Sequence, residues 1–158
     1  MTADSAVSKK IKAVGLISGG MDSYIATKLI CDQGIEVTGV FCLMPWGCGD
    51  EQRSQHLAQK LGIHFQVIPL GDEYLELLKN PAYGYGSSFN PCLDCHLFMI
   101  KKAAQLMRDI GADFVFTGEV LGQRPMSQRR DCLDLIERTC GLEGRLLRPM
   151  SAKHLAPT

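Results

Sequence analysis

The chain lacks an excess of either charge: seventeen Lys and Arg balance seventeen Asp and Glu over 158 residues. No global field draws it to nucleic acid or anionic lipid, so any polyanion must be held by a local patch. It also lacks an apolar run approaching the roughly 20 residues of a membrane helix, and the opening MTADSAVSKK has no apolar stretch behind its charges. Together these absences read as a cytoplasmic protein with no membrane partner. An even cysteine count is missing too. Cys31, Cys42, Cys48, Cys92, Cys95, Cys132 and Cys140 make seven, which argues against a disulfide framework and leaves some thiols for chemistry or metal and others for the core. Internal repeats and low-complexity tracts are absent. What is present, 46% hydrophobic and 22% charged residues, suits one packed domain and excludes intrinsic disorder or a multidomain machine.

Residues 1–10 are polar without a period and read as a flexible leader, leaving 11–158 as the domain. The run KAVGLI (12–17) is short, apolar and partly β-branched, and a Gly-Gly turn follows it, as after a buried strand. Helical spacing of Ile25, Ala26, Leu29 and Ile30 predicts a helix over 22–34, stopped by Gly34. A strand over 35–43, a helix over 51–61, a strand over 63–70 and a short helix over 72–79 come next. The stretch NPAYGYGSSFNP is too rich in aromatics, Gly and Pro for a flexible linker and reads as a long ordered loop, a feature that is usually functional. The longest helical pattern covers 93–110, with Leu97, Ile100, Ala104, Leu106 and Met107 inward. A strand over 113–117, a helix over 131–139 and a short strand over 145–148 complete the chain. Strands alternating with helices predict an α/β fold with a doubly wound, mainly parallel sheet, whose ligands bind beyond the carboxyl ends of the strands.

Ser18-Gly19-Gly20-Met21-Asp22-Ser23 follows the first strand and opens the first helix. Adjacent glycines let the backbone turn tightly and bring amides close to an anion, and the helix N-terminus adds roughly half a positive charge. The spacing is neither G-x-x-x-x-G-K-[ST] nor G-x-G-x-x-G. An ordinary glycine turn capped by Asp22 or Ser23 is the competing reading. In this context SGGMDS resembles the PP-loop of the ATP pyrophosphatases, enzymes with the Rossmann-like adenine nucleotide alpha-hydrolase fold. The resemblance implies ATP as substrate, cleaved to AMP and pyrophosphate, with Mg²⁺. It places pyrophosphate against Ser18, Gly19, Gly20 and Ser23, the metal or reacting phosphates at Asp22, and adenine and ribose along the second strand from Gly39 to Phe41.

Asn90-Pro91-Cys92-Leu93-Asp94-Cys95-His96 opens the long helix, whose positive end favours thiolates suited to attack sulfur or to bind a soft metal. A single C-x-x-C pair disfavours a four-cysteine zinc site. With a remote third thiol it suits a 4Fe-4S cluster with one open iron, for which Cys48 leads and Cys42, Cys132 and Cys140 follow. A redox dithiol and two buried structural thiols are the alternatives. His96 reads first as structural, as does Trp46 in its loop. Together SGGMDS and C-x-x-C look like the thiouridine-forming tRNA sulfurtransferases. TGEVLGQRPMSQR (117–129) and LRPMSAK (147–153) are similar to a small thiouridylase-like PP-loop subgroup. Relatives usually continue beyond RPMSAK, so the C-terminal lobe reads as truncated or supplied by a neighbour, as in a homo-oligomer. The 117–129 segment starts at a strand end and opens a helix, which should place Gly118, Arg124 and Arg129 in the crevice. With Lys153, the two arginines are candidates for the phosphates. The expectation is an ATP-dependent sulfurtransferase that replaces a carbonyl oxygen, on a tRNA base or a small molecule, with sulfur from a donor. An ammonia-using amidotransferase or synthetase, or a nucleotide- or cluster-binding module without turnover, are its rivals.

Overall fold

The computed structural model describes residues 10–45, 49–86 and 90–158. Five parallel strands form one sheet in the order β3-β2-β1-β4-β5. In chain order the elements are β1 (Lys12–Leu16), α1 (Met21–Cys31), β2 (Glu36–Leu43), α2 (Glu51–Leu61), β3 (His64–Pro69), α3 (Asp72–Lys79), α4 (Cys92–Asp109), β4 (Phe114–Thr117), α5 (Arg130–Thr139), β5 (Leu146–Leu147) and a terminal 3₁₀ helix (Pro149–His154). The chain winds outward from β1 to β3, then crosses back through α3 and α4 to lay β4 on the free side of β1. This switch in strand order opens a crevice beyond the carboxyl ends of β1 and β4. The α/β doubly wound expectation holds, and every described strand pairing is parallel.

Alternation along the buried strands feeds two cores. Val14, Val40 and Val115 meet Leu97, Ile100, Ala104 and Met107 of α4 and Ile136 of α5 on one face, while Ala13, Val37 and Phe116 meet Ala26 and Ile30 of α1 on the other. β1 and β4 are packed tightly: a Cβ on Gly15 would lie 2.2 Å from the Phe116 ring. The last strand is shorter than the pattern predicts. Arg145 turns its guanidinium to the Asp113 carbonyl at 2.9 Å and Arg148 folds inward, so only Leu146–Leu147 stay in register with β4. The 3₁₀ helix, which periodicity did not reveal, continues the inward turn and packs Met150 against the α1 core. The predicted leader, residues 1–10, lies outside the described residues except for Lys10. No helix among the described residues is long and apolar enough to cross a membrane.

Candidate active site

The β1–α1 turn is a backbone cradle. Gly19 has φ +80°, and a Cβ there would come within 2.9 Å of the Asp50 carbonyl oxygen, so the turn requires glycine. The Ser23 hydroxyl donates to the Gly20 carbonyl at 2.8 Å, and Ser18 Oγ lies 3.4 Å from Ser23 Oγ and from the Gly20 amide. No side chain caps α1. Its first-turn amides are thus available to an anion, in contrast to α2, where Asp50 accepts from the Arg53 amide at 2.9 Å. Phe41 is buried at the end of β2 beneath Gly49, whose Cβ would lie 3.0 Å from its ring and 3.5 Å from the Ser18 carbonyl.

The loop after β4 closes on this cradle. A Cβ on Gly118 would fall 2.6 Å from both Cα and N of Ser23, so two backbones touch where any larger residue would push them apart. The Gln123 amide donates to Asp22 Oδ2 at 3.1 Å, joining residues 101 positions apart. The loop is held from within by the Gly122 amide on the Gln128 carbonyl at 2.7 Å, and from outside by the Leu121 amide on Ser151 Oγ at 2.8 Å. It leaves Ser127 Oγ and Gln128 Oε1 buried without a partner among the described residues, acceptors that a bound ligand or water could satisfy. Uncapped amides, a glycine cradle and Asp22 fit a nucleotide triphosphate with Mg²⁺, which usually takes one or two carboxylates plus the phosphates themselves. Arg124 and Lys153 are exposed. Arg129 is exposed as well and makes a forked pair with Asp131 at 2.8 and 3.1 Å, so its guanidinium is directed to its own helix.

The second part of the site is the start of α4. Cys92 and Cys95 are both half-buried there. The Tyr74 hydroxyl from α3 lies 3.0 Å from Cys95 Sγ and 3.5 Å from Met44 Sδ just past β2, which sets Cys95 at the same carboxyl edge as the cradle. Asp94, buried between the two cysteines, accepts from the amides of Ala82 and Tyr83 at 2.9 and 3.1 Å. His96 Nδ1 lies 2.9 Å from Glu119 Oε1, and since an ionised carboxylate only accepts, Nδ1 carries the proton. Glu119 Oε2 accepts from Thr117 Oγ1 and from Arg148 Nε, each at 3.0 Å. Arg148, also buried, donates onward to Glu137 at 3.4 Å and to the Leu133 carbonyl at 3.2 Å. Burial alone would raise the Glu119 pKa. The hydrogen bond and charge of His96, then the charge and hydrogen bond of Arg148, instead hold it at about 2.

The remaining described thiols are poor nucleophiles. Burial pushes Cys42 up to about 12, with Cys95 adding to the shift, and Cys140 up to about 11. Burial also raises Cys31 and Cys132. Among the described residues no three His, Cys, Asp or Glu side chains gather to hold a metal ion. Cys48, the expected third cluster ligand, lies outside the described residues, as does Trp46. The described residues alone therefore do not make a three-thiolate site. A cavity of about 400 Å³ between α3, α4 and α5, lined by Phe98, Lys101, Lys102 and Cys140 among others, is on the flank of α4 and includes none of the crevice residues.

Sequence reasoning placed the glycine loop and the thiol pair at one sheet edge, and the geometry does the same. It missed Glu119 and Arg148 as partners, Gln123 as the link to Asp22, and Asp94 as an anchor. The signal for the first pair was present: each lies inside a motif already singled out.

Comparison with known proteins agrees with this geometry. The family described as thiamine biosynthesis protein ThiI matches residues 8–153. A tRNA-specific 2-thiouridylase MnmA of Pelotomaculum thermopropionicum is 30% identical, over 78% of this chain and 42% of its own. An uncharacterized protein of Methanocaldococcus jannaschii is 32% identical, over 73% of this chain and 43% of its own. The chain thus spans less than half the length of these curated relatives. Among solved structures, a predicted subunit of tRNA methyltransferase from Methanocaldococcus jannaschii aligns over 89% of this chain and 68% of its own with a TM-score of 0.60 at 14% identity. An NH₃-dependent NAD synthetase from Campylobacter jejuni aligns over 96% and 72% with a TM-score of 0.56 at 12% identity. At such identities these two share the fold.

Proposed function

The chain belongs to the ThiI family of the PP-loop ATP pyrophosphatase superfamily, and on that premise we propose that it is an ATP-dependent tRNA sulfurtransferase. One observation carries the reading: adjacent residues on the β4 loop face the two halves of the crevice. Gly118 presses on Ser23 of the phosphate cradle, and Glu119 receives His96 from the helix turn that bears the thiols. A nucleotide in the cradle and a sulfur nucleophile at α4 would meet across this dipeptide.

ATP enters with its phosphates on the amides of Gly19, Gly20 and the first turn of α1, with Ser18 as a hydroxyl donor and Ser23 as a second once its hydroxyl leaves the Gly20 carbonyl. Phe41 borders the adenosine. Asp22 would hold Mg²⁺, which would supply neutralisation of the phosphate charge. Gln123 turns the Asp22 carboxylate, and Arg124 and Lys153 draw the departing pyrophosphate; Arg129 joins them once it leaves Asp131. A carbonyl oxygen of a nucleobase attacks the α phosphorus and the bond to the β phosphate breaks. The base is then adenylated, which converts a poor leaving group into a good one. A sulfur nucleophile from an external donor, delivered at Cys92 and Cys95, adds to the activated carbon, and AMP leaves with the oxygen. Glu119, fixed by Arg148, holds His96 in one tautomer beside the thiols.

The experiment is an anaerobic reaction of purified protein with ATP, bulk tRNA and sulfide, scored for pyrophosphate and thiolated nucleoside. Both should form, whereas ammonia in place of sulfide should give no aminated product. Iron analysis of the same preparation decides how sulfur is delivered: about four irons per chain, lost in Cys48→Ala, would bring Cys48 into a three-cysteine cluster. Iron-free protein that thiolates with sulfide assigns delivery to sulfide itself adding to the adenylated carbon. Iron-free protein that thiolates only with a sulfane-sulfur donor assigns it to a persulfide on Cys92 or Cys95, the donor supplying sulfur already at that oxidation level.

A further inference from the structure

Among the described residues, the aromatic side chains most open to solvent are Tyr83 at 47% and Tyr85 at 46% exposure, and both lie on the segment between α3 and α4. The backbone beneath them is fixed from three sides. Asp94 of α4 takes the amides of Ala82 and Tyr83. The Tyr85 hydroxyl reaches the carbonyls of Leu78 and Lys79 at the end of α3, the latter at 3.1 Å. The Gly86 amide donates to the Asn90 carbonyl at 3.0 Å, and Met126 of the β4 loop covers Gly86 so closely that a Cβ there would lie 1.8 Å from its sulfur. These ties do not bury the rings. Their consequence is that two large π surfaces face solvent on a tied stretch of backbone, residues 82–86, anchored through Asp94 between Cys92 and Cys95.

We propose that Tyr83 and Tyr85 form a stacking platform for an unpaired nucleobase of RNA and set that base beside the thiols. This deepens the sulfurtransferase reading and rests on it. Every base offers a π face to such a ring, and a ring carried on backbone already tied, as at Tyr83, or held through its own hydroxyl, as at Tyr85, loses less freedom on binding. A base within a duplex cannot reach the platform, so the proposal specifies single-stranded or extruded RNA.

The test measures anisotropy of a labelled unstructured oligoribonucleotide, and of a duplex of equal length, with the full chain, alongside ATP binding to the same preparations. Tyr83→Ala should weaken single-strand binding by about tenfold and Tyr83→Phe should preserve it, stacking being a property of the ring. Duplex and ATP affinity should be unchanged in both variants. Tyr83 is exposed, and an unaltered thermal unfolding midpoint verifies the fold. Three results would overturn the platform: no single-strand binding by the unaltered protein, an unchanged affinity in the Tyr83→Ala, Tyr85→Ala double variant, or an equal loss for strand and duplex. Unaltered protein that fails to bind ATP yet shows the ring-dependent RNA effect would strike the sulfurtransferase reading and leave the platform standing. Normal ATP binding with an unmoved RNA affinity would do the reverse.

Discussion

At the β1–α1 end of the crevice the working parts are backbone: a positive-φ glycine, the uncapped amides of a helix, and Gly118 pressed against Ser23. At the α4 end they are side chains drawn from distant segments: His96, Glu119 and Arg148 satisfy one another, Tyr74 meets Cys95, and Asp94 takes two loop amides. A cradle of amides is indifferent to most side chains and intolerant of an added Cβ. A corner held by buried charge tolerates no loss of a partner, because the group left behind remains desolvated.

The largest effect should therefore follow from breaking the corner. Glu119→Gln removes the buried carboxylate charge between His96 and Arg148, leaving Arg148 only the longer ion pair with Glu137, and should cost about 3–5 kcal/mol in urea unfolding, while Ser18→Ala in the cradle should cost less than about 1 kcal/mol. Acid probes the same asymmetry without mutation. Glu119 is held at about 2 in the fold against an ordinary 4.5, so its stabilisation is complete above pH 4.5 and is lost as pH falls from there towards 2. Stability should drop by about 3 kcal/mol over that interval, and Glu119→Gln should flatten this limb of the profile. Gly118→Ala sharpens the comparison from the other end. Its methyl meets Ser23 backbone and should cost about 1–3 kcal/mol, with ATP affinity, read by calorimetry, falling more than stability explains. The smallest effect belongs to Asp94→Asn, which keeps one acceptor for two amides. It should loosen residues 82–86 by about 1 kcal/mol, seen as faster hydrogen exchange at Ala82 and Tyr83.

The contrast between the two ends also explains what could be read from sequence. The cradle is contiguous, so Ser18 to Ser23 announced both its glycine turn and the helix start beside it, and apolar periodicity placed the strands and helices around it. Gly118 could be placed near it because a strand end before a helix faces the crevice in this fold. The corner depends on pairs remote in sequence, such as His96 with Glu119 and Glu119 with Arg148, 23 and 29 positions apart. No local period marks such a pair. Arg148 stood out in a motif yet has the residue type of a solvated charge, and only its burial shows its partner. Arg129 illustrates the opposite error of scale: its place at the start of α5 was legible, but the local pairing with Asp131 was not.

The most direct test is pyrophosphate release from ATP, measured in the presence of bulk tRNA and sulfide, for unaltered protein, Asp22→Ala and the Cys92→Ser, Cys95→Ser double variant. If the two ends divide the work as proposed, Asp22→Ala abolishes pyrophosphate release, and the double cysteine variant still releases pyrophosphate while forming no thiolated nucleoside. Unchanged release in Asp22→Ala, or thiolation by the double cysteine variant, would contradict the account.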